Sequence, residues 1–295
     1  MTLFRYEEPL FRPPSEARSL IFQITVGCSH NGCAFCGMYK MKRFRVRGVE
    51  EILAEIAAVP ERYRSQVRRV FLADGDALVY PQAGLVTILD ALGAAFPALN
   101  RVGVYASPSS LAGKGVAELT LLREKRLGIL YFGLESGDAL TLERVGKGYA
   151  PAAMMALCRK AQEAGMKLSV TAILGLAGRA RSLEHAEATG AWVSELSPDY
   201  FSLLTMFLRH NDDYLRTIEP LNRGEILAET LALVRALAPR RTILRSNHVS
   251  NFLSLEGSYP KDRLRVIETV AGALEEARRD PAWCAEVPGY REEYF

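Results

Sequence analysis

Runs rich in Val, Ile, Leu and aromatic residues alternate along the chain with segments in which apolar positions recur at three- and four-residue spacing. The runs predict strands and the spaced segments predict helices, and their regular alternation predicts parallel strands joined by crossover helices. The strands fall at 19–26, 68–74, 101–107, 128–134, 167–174, 199–206 and 241–246, and the helices at 49–59, 82–96, 112–125, 151–165, 181–196, 223–239 and 261–279. Pro151 and Gly165 bracket one of these helices with a start and a stop signal. The strands are apolar on both faces, as in a buried parallel sheet. Six or seven in succession favour an α/β fold built as a partial or complete (β/α) TIM-like barrel of parallel strands over an open doubly wound sheet. In either fold the chemistry is expected at the carboxyl ends of the strands. The chain is expected to form one barrel over residues 18–250, preceded by an N-terminal extension (1–17). A C-terminal helix and aromatic tail (251–295) are expected to pack on it.

Composition narrows the function classes. With 295 residues, 49% of them hydrophobic, the chain can bury one large core. A net charge of only +3 supplies no whole-protein basic field, so nucleic-acid binding would have to rest on a local patch. No stretch approaches the length of apolar sequence needed to span a bilayer, and the N-terminus lacks the layout of a signal peptide. A soluble cytoplasmic protein without a membrane partner is therefore expected. Five cysteines, three of them between positions 28 and 36, suit a metal site in a reducing compartment better than a disulfide framework.

Those three, Cys28, Cys33 and Cys36, lie directly after the first predicted strand in the segment CSHNGCAFC. Three thiolates can hold three irons of a cubane and leave the fourth open, whereas an electron-transfer site normally supplies four cysteines. An open iron is a Lewis acid able to chelate a substrate. A structural zinc site with His30 as fourth ligand and a fortuitous cluster are the plainer alternatives. Zinc sites usually bring a second ligand pair at longer range, and none is visible.

The segment resembles the signature of the radical S-adenosylmethionine (SAM) superfamily, C-x3-C-x-aromatic-C after the first strand of a partial barrel. Phe35 stands at the aromatic position, and one extra residue separates the first two cysteines. The resemblance extends from about residue 18 to about residue 250 and includes further elements in the expected order. Asp74-Gly75-Asp76 takes the place of a Gly-Gly-Glu-like segment that holds the SAM amino group, matching in its glycine and an acid. Gly133-Leu134-Glu135-Ser136-Gly137 looks like a polar site for the SAM amino group or ribose, a carboxylate between glycines suiting an ammonium. Ile173-Leu174-Gly175-Leu176-Ala177-Gly178 is similar to the G-x-I-x-G-x-x-G element that lies against adenine.

The resemblance implies a [4Fe-4S] cluster on Cys28, Cys33 and Cys36, with SAM chelated to the open iron and held by Phe35, Asp74, Gly75, Asp76, Glu135, Ser136, Ile173, Gly175 and Gly178. It implies reductive cleavage of SAM to a 5′-deoxyadenosyl radical that abstracts hydrogen from a small-molecule substrate. An electron donor such as flavodoxin or ferredoxin and an oxygen-sensitive cluster are also implied. The branch suggested is the one that includes the oxygen-independent coproporphyrinogen oxidase and the Elongator catalytic-subunit proteins. With no other cysteine group, an auxiliary cluster is not expected, and with no preceding nucleotide-binding-like domain, neither is cobalamin-dependent methylation.

Two polar segments remain. Residues 37–48 carry Lys40, Lys42, Arg43, Arg45 and Arg47, which could grip phosphate, carboxylate or an acidic donor protein, or could form a solvated loop. They motivate a second reading, tRNA modification, which is not favoured. After the last predicted strand, Arg245, Asn247 and Asn251 are candidate substrate ligands and His248 a candidate acid or base, set against loop capping by Ser and Asn. His185 reads as a helix-surface residue, Cys158 as core and Cys284 as an inert thiol in a packed tail. Two further alternatives are transfer of the 3-amino-3-carboxypropyl group of SAM and a non-catalytic metal-binding module.

Overall fold

The strands form where apolar residues occupy both faces of the chain, and they end at turns rich in glycine and acid. The computed structural model describes residues 6–206 and 211–289. Residues 290–295, the end of the expected aromatic tail, lie outside the described residues, as do the first five of the N-terminal extension. The described residues divide into two compact units interleaved along the chain.

The first unit holds the residues up to Asn31, Met38–Phe132 and Ala156–Leu168. Its strands are β1 (Leu20–Gln23), β2 (Thr25–Val26), β3 (Arg45–Val46), β4 (Arg69–Ala73), β5 (Arg101–Ala106) and β6 (Leu127–Glu135). β1, β4, β5 and β6 pair in that order, all parallel, with Leu20 opposite Val70, Arg69 opposite Arg101 and Val104 opposite Leu130. β2 and β3 make a separate antiparallel pair. The helices are α1 (Val49–Ala58), α2 (Glu61–Arg64), α3 (Gln82–Ala95), α4 (Pro108–Ala112) and α5 (Val116–Glu124). α3 buries Leu85, Ile88, Leu89 and Leu92, an i, i+3, i+4, i+7 stripe. The helix expected over 112–125 is two: the run Gly113-Lys114-Gly115 interrupts it, and Ser107 caps the unexpected α4 by accepting the Ser110 N–H at 3.1 Å.

The second unit holds Gly32–Gly37, Gly133–Met155 and the residues from Ser169 on. In chain order its elements are α6 (Ala139–Arg144), the start of α7 (Pro151–Glu163), β7 (Lys167–Leu174), α8 (Ser182–Leu196), β8 (Tyr200–Thr205), α9 (Asp212–Leu215), α10 (Arg223–Ala236), β9 (Thr242–Ser246), β10 (Leu255–Tyr259), α11 (Arg263–Ala277) and α12 (Pro281–Ala285). β7, β8 and β9 are parallel, and the unexpected β10 returns antiparallel along β9 with Leu255 opposite Ser246. α8 meets α10 where Gly190 lacks a side chain: a Cβ there would lie 2.7 Å from that of Ala236.

α7 obeys its sequence signals. Pro151 is its first residue, and Gly165 (φ +76°) turns the chain out of it, the N–H of Gly165 donating to Gln162 O and that of Met166 to Ala161 O. Among the described residues no helix is long and apolar enough to cross a membrane.

Candidate active site

Cys28 is half-buried on the turn that leaves β2, and the loop after β4 forms its backing within the first unit. A Cβ on Gly75 would lie 3.0 Å from the Cys28 Cβ and 2.6 Å from a Tyr39 ring carbon, so only glycine permits this approach. Asp74 is fully buried. Its Oδ2 accepts from Lys42 Nζ (2.9 Å), Gly27 N (3.1 Å) and Gln23 Nε2 (3.3 Å), while its buried Oδ1 has no hydrogen-bond partner. The Asp76 carboxylate accepts from Ser107 N (3.0 Å), Ser107 Oγ (2.7 Å) and Ser29 Oγ. Both acids therefore brace the turn that carries Cys28. Asp76, expected at the SAM site, has hydrogen-bond donors on both its oxygens from Ser29 and Ser107.

The basic run after the cysteines is partly consumed internally. Lys42 is buried and donates to the Glu7 and Pro9 carbonyls as well as to Asp74. Arg47 pairs with Glu55 at 2.8 Å and Arg45 pairs with Glu7. Lys40 donates to the Asn31 carbonyl, and Arg43 is exposed. The cleft that Met41 to Arg45 line also contains Glu7 and Glu8. That is a mixed surface, not the basic groove that nucleic acid requires.

In the second unit, Cys33 and Cys36 are half-buried at the two ends of a turn, the Cys36 N–H donating to Cys33 O at 3.2 Å. Ala34 N–H donates to Val145 O (2.8 Å) and Asn211 Nδ2 to Phe35 O (3.2 Å), anchoring this turn. Ala34, Phe35 and Ile173 pack on a buried cluster of Val145, Leu176, Met206 and Tyr214. The structure thus brings together Phe35 and Ile173, two residues expected at the SAM site. Gly175 (φ +79°) and Gly178 (φ +69°) lie in the left-handed region, and a Cβ on Gly178 would fall 2.8 Å from that of Ile218.

Glu135 is paired at 3.0 Å with Lys147, an ammonium of the chain itself in the place where that of SAM was expected. Gly133 makes room for this fold-back, since a Cβ there would lie 2.0 Å from Glu135 Oε1. Lys147 sits between Gly146 and Gly148, both at positive φ, and this glycine-flanked lysine was the available signal for it. Ser136 is buried, its Oγ 2.7 Å from His185 Nδ1. His185 is fully buried, not on the helix surface, since it shares a stripe with Ala186, Thr189, Gly190 and Val193. Beside it Asp138 caps α6 and forms a two-bond pair with Arg181 (3.0 and 2.9 Å). The hydrogen bonds from Arg181 and Thr141 outweigh burial and pull the Asp138 pKa down to about 2.

The segment after β9 is partly structural. Asn251 donates to Leu203 O (2.7 Å) and Ser246 Oγ (2.9 Å) and accepts from Thr205 Oγ1 (2.9 Å), so its polar atoms tie the loop to β8 and β9. Asn251, a candidate substrate ligand in the sequence, makes these bonds within its own loop and to the two strands. His248 Nδ1 accepts from Ser250 N (3.2 Å) and lies 2.8 Å from Ser250 Oγ, and burial pushes its pKa below the usual imidazole value. Arg245 and Asn247 are exposed, Arg245 lying 6.0 Å over the Tyr200 ring. Cys158 is buried as expected, and burial raises its thiol pKa. Cys284 is half-buried, donating to Ala277 O.

An α/β chain with largely parallel strands, turns of glycine and acid after them and three cysteines after β2 is the setting in which the comparisons with known proteins fall. The radical SAM superfamily pattern matches residues 22–193, more than half of the chain, and the chain belongs to that superfamily. An uncharacterized methyltransferase of Pyrococcus horikoshii is 26% identical over 61% of this chain and 38% of its own length. Among solved structures, coproporphyrinogen III oxidase (HemN) of Escherichia coli matches at TM-score 0.55 and 19% identity over 74% of this chain and 52% of that one. Methylornithine synthase (PylB) matches at TM-score 0.53 and 15% identity, over 94% and 84%. The methyltransferase TsrM of Kitasatospora setae, solved with cobalamin and a [4Fe-4S] cluster bound, matches at 0.54 and 18%, over 92% and 54%. At these identities the structural likeness carries the fold.

The superfamily uses a [4Fe-4S] cluster and SAM. Cys28, Cys33 and Cys36 form no disulfide and are partly accessible, as thiols that act as ligands must be. Among the described residues no three His, Cys, Asp or Glu side chains are grouped as metal ligands. The fit therefore rests on the chemistry of the donor set.

Proposed function

We propose that this chain is a radical SAM enzyme acting on a small molecule, with Cys28, Cys33 and Cys36 holding the cluster. The observation that carries this reading is the shared packing of the cysteine turn and the Ile173–Gly178 element on one apolar cluster. When bound, the cluster and SAM supply reductive cleavage of a sulfonium C–S bond, and with it a radical able to take hydrogen from an unactivated carbon. The chain's residues position and shield. Phe35 and Ile173 offer an apolar wall that keeps water from a reactive centre. Gly175 and Gly178 shape the turn for close approach of a ring, and the orphaned Asp74 Oδ1 is an acceptor left for an N–H donor. His248, held as a base by its burial and its Ser250 contact, and exposed Arg245 and Asn247 stand at the end of β9 as substrate-facing candidates.

Methyl transfer is a second reading, favoured by the methyltransferase relative. Product analysis separates the readings. Anaerobic protein given SAM, dithionite and no added substrate is expected to form 5′-deoxyadenosine. S-Adenosylhomocysteine in its place, formed only once a methyl-accepting small molecule is added, would support methyl transfer, and methylthioadenosine would support cleavage of the bond to the 3-amino-3-carboxypropyl group. A fully loaded cluster with no SAM-derived product would refute the enzyme reading. tRNA modification has less support, because Lys42 and Arg47 of the basic run are engaged by Asp74 and Glu55.

A further inference from the structure

Beneath the Gly175 turn lies a buried polar pair that the expected site residues leave unexplained. Glu229, on α10, accepts the Gly175 N–H with Oε1 (2.6 Å) and the Ser182 hydroxyl with Oε2 (2.5 Å). His185, on α8, places Nδ1 2.7 Å from Ser136 Oγ and Nε2 3.8 Å from Glu229 Oε1, and that Nε2 has no hydrogen-bond partner. Both side chains have zero exposure. Burial raises the Glu229 pKa, while the His185 imidazole and the hydrogen bonds from Ser182 and Gly175 act in the opposite direction. A carboxylate and an imidazole placed in a core cost more than apolar residues of the same volume, so a purely packing role does not account for them.

What the pair does is visible at its two ends. Glu229 fixes the backbone of the turn after β7. His185 fixes Ser136, whose Oγ also accepts the Asp138 N–H at 3.0 Å in the turn after β6. A serine, a histidine and an acid in a row can form a nucleophile relay, but Ser136 and His185 are sealed from solvent and no substrate reaches them.

We propose that His185 and Glu229 are positioning residues for SAM binding: together they fasten the Ser136 turn and the Gly175 turn to a common support on α8 and α10 and so set the spacing between them. The inference rests on the reading of those two turns as SAM contacts. It predicts that loss of the imidazole loosens SAM without loss of the cluster, because the Cys33–Cys36 turn is anchored by Val145 and Asn211.

The test uses the full-length protein, reconstituted anaerobically, with SAM affinity measured by equilibrium dialysis and iron content and thermal midpoint measured in parallel. His185→Leu is expected to bind SAM about tenfold more weakly at unchanged iron content, since small displacements of positioning groups are felt at the site. His185→Asn, whose amide oxygen can replace Nδ1 beside Ser136, is expected to recover most of that loss. Ser136→Ala combined with His185→Leu is expected to bind no more weakly than His185→Leu alone, because one acts through the other. Wild-type affinity in His185→Leu, or additive losses in the double variant, would overturn the inference. Should His185→Leu fail to fold, Glu229→Gln carries the same test: a several-fold loss supports the inference and wild-type affinity overturns it. Loaded wild-type protein that binds no SAM would overturn the reading of the turns, and the inference with it.

Discussion

The loops after β4 and after β7 end parallel strands and carry glycines, yet they are built in opposite ways. In Asp74-Gly75-Asp76 the motif's own acids do the bonding, and their partners Gln23, Gly27, Ser29, Lys42 and Ser107 come from segments that precede and follow the loop. In Ile173–Gly178 the motif is apolar apart from its backbone, and its polar support, Glu229, arrives from a helix far along the sequence. The first loop is held by an ion pair and neutral hydrogen bonds. The second is held by glycine conformation over a buried acid, Glu229, whose hydrogen bonds come from the Gly175 N–H and the Ser182 hydroxyl. A motif can thus mark a site through the residues that do its work, or only through the space those residues leave.

The largest expected effect lies in the first loop. Lys42→Met leaves Asp74 buried without its cation, and removing one partner of a buried pair costs about 3 kcal/mol. Urea unfolding should show that loss, and a change below about 1 kcal/mol would mean the ion pair is not the support described here.

The second loop is tested by conformation. Gly178→Ala places a Cβ 2.8 Å from that of Ile218 at φ +69°, and a destabilisation of about 1–2 kcal/mol is expected. Gly272, in the interior of α11 with nothing within 4 Å of an added Cβ, is the control: Gly272→Ala should stabilise by up to about 1 kcal/mol. Equal responses at the two positions would erase the distinction.

The smallest effect is in pH. Burial raises the Glu229 pKa in the folded state, so the fold favours its protonated form. Its contribution to stability is full below the unfolded carboxyl pKa and is lost as pH rises through the folded value. Thermal midpoints of Glu229→Gln should fall less with rising pH than those of the wild type. Parallel curves would place the titrating group elsewhere.

All seven predicted strands are present, and those buried on both faces, such as β4 and β6, were legible as unbroken apolar runs. β9 and β10 both alternate in burial, yet β9 carries Ile243 and Leu244 in sequence, whereas in β10 Glu256, Gly257 and Ser258 separate Leu255 from Tyr259 and leave no run to read. α4 and α6 are too short to show a period. At the site, the three cysteines and the glycine turns were legible because spacing and backbone conformation leave a local signature. The Lys42–Asp74 and Lys147–Glu135 pairs and the His185–Glu229 couple were not, since each depends on a partner that only tertiary packing supplies. His185 had a partial signal: Ala186, Thr189, Gly190 and Val193 already mark its face as the buried one.

The central claim is that Cys28, Cys33 and Cys36 hold the cluster that binds SAM. The most direct test counts iron and sulfide in anaerobically reconstituted wild-type and Cys33→Ala protein. About four of each per chain in the wild type, with loss of both in the variant, is the predicted result. Full iron and sulfide in Cys33→Ala, or zinc in place of iron in the wild type, would contradict it.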